Sequence, residues 1–157
     1  MNSCINNYIL KNQFKRGELY SVINAMAATA IARRMQKNFR AAGLEITTEQ
    51  WSILYHLWKE DGINQQQLCE RTFRDKPSIT RLIDNLVKQG LVERKANKND
   101  KRVNFIFLTE VAKNLQQQTI DIANQTMDEA LVGITKNEIE TVKNVLQKVY
   151  DNLQVQQ

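Results

Sequence analysis

Proline occurs once, glycine five times, cysteine twice and histidine once in these 157 residues. Each shortage excludes something. So few breakers leave little to interrupt helices, and a mostly helical chain is expected. Two cysteines, Cys4 and Cys69, lack metal-like spacing and make neither a disulfide framework nor a zinc site. A single histidine, His56, rules out two-histidine motifs, and neither a P-loop nor a G-x-S-x-G elbow is present. No metal, cofactor or enzymatic activity is therefore expected. No apolar run approaches the ~18 residues that a membrane span requires. The segment from Met1 to Tyr8 has no cationic stretch followed by an apolar one, so no secretory signal is read there. A cytoplasmic, single-domain-sized protein without a membrane partner is the default.

What is present is unevenly charged. The net charge is +5, and it is concentrated. Residues 71–102 hold ten Lys/Arg against four Asp/Glu, whereas residues 110–157 hold four against seven. A basic stretch is often only a solvated face, so its meaning depends on the motif that carries it.

The glycines Gly17, Gly43, Gly62, Gly90 and Gly133 fall between periodic apolar segments, where helices are expected to end. Residues 17–42 read as one long helix with Leu19, Val22, Ile23, Met26 and Ala30 on a stripe widened by Ala27, Ile31, Met35 and Phe39. Thr47-Thr48-Glu49-Gln50 has capping-box spacing and opens a second helix to about Glu60, with Ile46 as a staple and Trp51, Leu54, Leu57 and Trp58 inward. Asn64 can cap a short third helix carrying Leu68 and Cys69. The next helix, about Lys76 to Gln89, begins with the lone Pro77 in its first turn. Its apolar set Ile79, Leu82, Ile83, Leu86 and Val87 follows the i, i+3, i+4, i+7, i+8 template. Two strands follow, about Leu91–Lys95 and Val103–Leu108, with a polar turn between them. Thr109 caps a long helix through Ala112, Leu115, Ile122, Ala123, Met127 and Leu131. A second capping box, Thr135 to Glu138, opens a last helix with Ile139, Val142, Leu146, Val149 and Leu153.

A short capped helix running straight into a hairpin with a cationic tip is the plan of a winged helix-turn-helix. With its apolar set inward, the helix presents Lys76, Ser78, Thr80, Arg81, Asp84, Asn85 and Lys88 outward. Double-stranded DNA is thus the leading partner. Arg81 suits a bidentate pair to guanine, and Ser78, Thr80 and Asn85 suit bases or phosphates in the major groove. Lys76 and the helix N-terminus favour a phosphate, while Lys88, Arg71 and Arg74 suit the backbone. At the hairpin tip, Asp100 can hold Arg102 extended for a narrow minor groove, with Lys98 and Lys101 beside phosphates.

Three long helices with broad apolar faces lie at the two ends of the chain, more than a domain of residues 47–109 can cover. The expected division is therefore a tail and dimerisation helix (1–46), a winged helix-turn-helix (47–109) and C-terminal dimerisation helices (110–157). A homodimer covers the faces, and a closed monomeric bundle is the alternative.

The chain resembles the MarR family (multiple antibiotic resistance regulators) over about residues 17–153. The resemblance rests on the helix order, on Ser78-Ile-Thr-Arg-Leu-Ile-Asp before Leu86 and Gly90-Leu91-Val92, and on Arg94, Asp100, Arg102 and Leu108-Thr109. It implies a homodimeric regulator, usually a repressor, on a pseudo-palindromic operator. It implies release by a small aromatic or phenolic effector between the dimerisation helices and the DNA-binding domain, or in some members by cysteine oxidation. Thr72-Phe73-Arg74 stands where the family usually has a Leu-Gly pair, and Cys69 where alanine is usual. Candidate pocket residues are Met35, Phe39, Trp51 and His56, although Met and aromatic residues at helical spacing are more often core, and a lone histidine beside a core face is more often a partly buried, hydrogen-bonded side chain. Cys4 reads either as a redox site or as an unremarkable terminal thiol. A winged-helix protein-interaction module without DNA readout remains the other class.

Overall fold

The computed structural model describes residues 16–96 and 104–154. Their seven helices and three strands run α1 (Arg16–Ala41), α2 (Thr48–Lys59), β1 (Ile63–Asn64), α3 (Gln65–Thr72), α4 (Lys76–Lys88), β2 (Val92–Ala96), β3 (Asn104–Leu108), α5 (Glu110–Asn114), α6 (Gln116–Ala130) and α7 (Lys136–Gln154). The chain forms two compact units, one ending at Thr126 and the other starting at Met127.

In the first unit the local signals act as read. Thr47 caps α2 through a reciprocal box with Gln50, and Asn64 caps α3 through one with Gln67. Each box satisfies two amides that a helix start leaves open. The core gathers Phe39 from α1, Ile53, Leu54 and Leu57 from α2, Leu68 from α3, Ile79, Ile83 and Leu86 from α4, and Ile106 from β3, all fully buried. Trp58 stays half-buried, its indole N–H donating to the Ala112 carbonyl at 3.0 Å.

The sheet has one strand more than expected. Its order is β1-β3-β2, both pairings antiparallel, with Ile63 opposite Ile106 and Val92 opposite Leu108. β1 is only two residues long, too short to leave a period-2 pattern. It is held by the turn before it: Asp61 Oδ1 accepts from the Leu108 amide at 2.9 Å and from the Gly62 amide at 3.0 Å. Gly62 has φ +74°, and a Cβ there would stand 2.6 Å from Phe107 Cε1, so glycine is required twice over.

Four expectations change. Gly17 lies inside α1 rather than before it. The expected inward stripe of α1 is buried only towards its C-terminal end, at Met35 and Phe39; Val22, Ile23 and Met26 are exposed, and the Leu19 side chain is outside what is described. Val87 is exposed although Leu86 is fully buried. One residue on, the helix has turned by about 100° and left the covered stripe. The helix expected to run on from Thr109 is interrupted at Leu115, whose amide turns onto the Lys113 and Val111 carbonyls. No breaker residue marks that point.

In the second unit, Thr135 and Glu138 form the expected box: the Thr135 amide donates to Glu138 Oε2 at 2.8 Å and the Glu138 amide to Thr135 Oγ1 at 3.3 Å. Along α7, Ile139 and Leu146 are half-buried, while Val142, Val149 and Leu153 are exposed. Among the described residues, no helix is long and apolar enough to cross a membrane.

Candidate nucleic-acid interface

Helix α4 follows α3 after a turn at residues 73–75 that bends the chain sharply. Phe73 takes the left-handed conformation (φ 53°, ψ 37°) at the C-cap of α3, and the Arg74 amide returns to the Cys69 carbonyl at 3.2 Å. This is the place where the sequence departs from Leu-Gly. A residue with a Cβ here is strained by about 1–2 kcal/mol, yet the turn is made.

Asp75 then caps α4, its Oδ1 accepting from the Ser78 amide at 2.7 Å. Hydrogen bonds from the backbone and hydroxyl of Ser78, with Arg74 nearby, hold the Asp75 carboxyl below its ordinary range. The positive end of the helix is thus already met by a carboxylate. Lys76, not the bare helix end, is the group left to attract a phosphate there.

Along α4 the buried set Ile79, Leu82, Ile83 and Leu86 turns the other face out. Lys76, Arg81, Asn85 and Lys88 are exposed, and Ser78 and Thr80 are half-buried. The helix therefore brings all six candidate residues to its uncovered side. Thr80 is the most engaged of them, its hydroxyl donating to the Lys76 carbonyl at 2.8 Å and accepting from Gln65 Nε2. Arg71 pairs with Glu60 across the surface. Arg74 is half-buried.

Two anchors of this helix escaped sequence reading. Gln65, at the start of α3, holds Thr80 from one side. Arg94, on β2, pairs with Asp84 and also donates to the Thr80 carbonyl at 3.4 Å. Asp84 had been read only as an outward residue. The carboxylate ten positions before an arginine, across a helix-to-strand turn, was the available signal. The hairpin-tip candidates Lys98, Asp100, Lys101 and Arg102 lie outside the described residues, as does Cys4.

The four pocket candidates sit close together but differ in exposure. Met35 and Phe39 belong to the core. Trp51, half-buried, lies 6.4 Å from the Phe39 ring and stacks at 5.3 Å on Tyr55, whose ring meets His56 edge-on at 5.7 Å. Tyr55, the link in this row, had not been singled out. The Trp51 Nε1 is buried without a hydrogen-bond partner among the described residues. Burial, and then Arg71 and Lys59, push the His56 pKa down. A cavity of about 430 Å³ lies elsewhere, lined by Gln36, Arg40, Gly43, Leu44, Glu45, Ile46 and Thr47. Burial pushes the Cys69 thiol pKa up, the opposite of what a reactive sensor thiol needs.

Comparison with known proteins finds the same fold. The MarR family model matches residues 46–103. A MarR transcriptional regulator from Methanosarcina mazei Go1 is 26% identical, with a TM-score of 0.78, over 88% of this chain and 99% of that one. A cysteine-to-serine mutant of MarR from E. coli, solved in complex with operator DNA, is 25% identical with a TM-score of 0.80, over 88% and 99%.

Proposed function

We propose that this chain is a transcriptional regulator of the MarR family, whose model matches residues 46–103, and that it binds a pseudo-palindromic operator as a homodimer and represses transcription from it. The observation that carries this reading is the uncovered face of α4. Lys76, Arg81, Asn85 and Lys88 are exposed along it while the opposite face is fully buried. In this reading Arg81 and Asn85 address base edges in the major groove, with Ser78 and Thr80 beside them. Lys76, Lys88, Arg71 and Arg74 address phosphates, and Arg102, oriented by Asp100 and flanked by Lys98 and Lys101, enters the minor groove. The division into residues 1–46, 47–109 and 110–157 then assigns dimerisation to the ends and DNA to the middle. The exposed apolar residues Val22, Ile23 and Met26 of α1, and Val142, Val145 and Val149 of α7, support a second copy as their cover. The operator DNA bound by the E. coli relative supports an operator as the target, and a cytoplasmic location follows from such a role.

A small aromatic or phenolic effector, releasing DNA, completes the reading. The rings of Trp51 and Tyr55, backed by the buried Phe39, offer stacking, and the unpartnered indole N–H of Trp51 offers a donor to a phenol or carboxylate oxygen.

The test is a titration of operator and random duplex at several salt concentrations. Operator affinity should fall with a log–log slope of about −0.9 per phosphate contacted. Arg81→Ala should cost about 1–3 kcal/mol on the operator and relax base preference at one position. If Arg81→Ala binds both duplexes as the parent does, the helix does not read bases.

A further inference from the structure

Three glutamines join the linker between α1 and α2 to the far end of α4. Gln50, on α2, is 4% exposed. Its Oε1 accepts from the Thr47 amide at 2.8 Å, and its Nε2 donates to Gln89 Oε1 at 2.9 Å. Gln89, the C-cap residue of α4, in turn donates from Nε2 to the Glu45 carbonyl at 2.9 Å. From the other side Gln36, on α1, donates to the Ile46 carbonyl at 3.0 Å and accepts from the Thr48 amide at 3.1 Å. Every amide uses its oxygen and its nitrogen, and every bond has the correct sense. The capping box alone needs only an acceptor at position 50, which glutamate supplies as well. The donor of Gln50 serves a partner 39 residues away.

We propose that Gln36, Gln50 and Gln89 form a positioning relay that sets the pitch of the DNA-reading helix against α1. This rests on the reading of α4 given above. Groups so chained hold one geometry, because a bond lost at the buried Gln50 leaves a polar atom unpaired there. The relay touches no DNA. It fixes where Arg81 and Asn85 stand relative to the helix from which a second copy would be measured.

The experiment uses the full chain with three variants: Gln89→Met, Gln50→Glu, and the double variant Gln50→Glu with Gln89→Lys. Gln89 is exposed, so Gln89→Met should fold. It should lower operator affinity by about 3–10-fold, the equivalent of one hydrogen bond, with random-duplex affinity unchanged. Without DNA, it should also speed hydrogen exchange at the Thr47 amide several-fold, although residue 47 is remote in sequence. Gln50→Glu keeps the cap but removes the donor, so it should lower operator affinity alike while the Thr47 amide stays protected. The double variant returns a donor to the pair and should restore operator affinity. Unchanged exchange at Thr47 in Gln89→Met overturns the relay. Faster exchange with unaltered operator affinity overturns its positioning role. A parent that does not prefer operator to random duplex refutes the DNA reading itself, and the exchange data then decide the relay separately.

Discussion

The block from Thr48 to Leu108 and the last helix, Lys136–Gln154, carry apolar residues at the same helical spacing and treat them differently. In the block, Ile53, Leu57, Leu68, Ile79, Ile83 and Leu86 are at 0% exposure. In the last helix Val142 is 55% exposed, Val145 44% and Leu153 65%. Spacing therefore specifies that a helix has an apolar face, and says nothing of what covers it. For α4 the cover is in the same chain, within a few dozen residues on either side. For α7 the proposed homodimer is the cover to be tested.

The sharpest way to break this contrast is to delete methyls on each side of it. Ile83→Ala should lower unfolding free energy by about 2–5 kcal/mol, and the loss in urea should be the same at every protein concentration. Placing charge on α7 should act the other way. Val142→Asp combined with Val145→Asp should raise the dimer dissociation constant at least about 100-fold, roughly 3 kcal/mol, as read by sedimentation equilibrium. The winged-helix block should keep its circular dichroism. Sedimentation unchanged by both charges would mean that α7 is not a contact between copies.

A smaller effect tests whether the block is everywhere at ease. Phe73→Gly removes a side chain from a left-handed position (φ 53°) and should raise stability by about 0.5–1 kcal/mol, the relief of strain less the added chain entropy. A loss instead would show that the ring, 66% exposed, contributes more through its contacts than its backbone costs.

The smallest effect is a pH dependence. The folded Asp75 carboxyl is held below its unfolded value, so its ionised form favours the folded state. That contribution is present above the ordinary carboxylate pKa of about 3.9 and is lost as pH falls through the lower folded value. Asp75→Asn keeps the cap acceptor without the charge. The parent should therefore exceed this variant in melting temperature near neutrality and converge on it in acid.

The same contrast explains what could be read in advance. The caps at Thr47, Asn64, Thr109 and Thr135 were legible because donor and acceptor lie within three residues. The buried set of α4 was legible because one period generates it. The strand Ile63–Asn64 was not, since two residues hold no period. Gln50 bonded to Gln89 and Gln89 to Glu45 were not, because each pairing is made by folding and leaves no local mark. Gln50 had served the sequence reading only as half of a cap.

Arg94 is gripped by Asp84 and by the Thr80 carbonyl, which welds the root of the hairpin to the middle of the helix. The reading helix and the foot of the hairpin are thus held to each other before any encounter. Less disorder at that junction is then left to freeze out on landing.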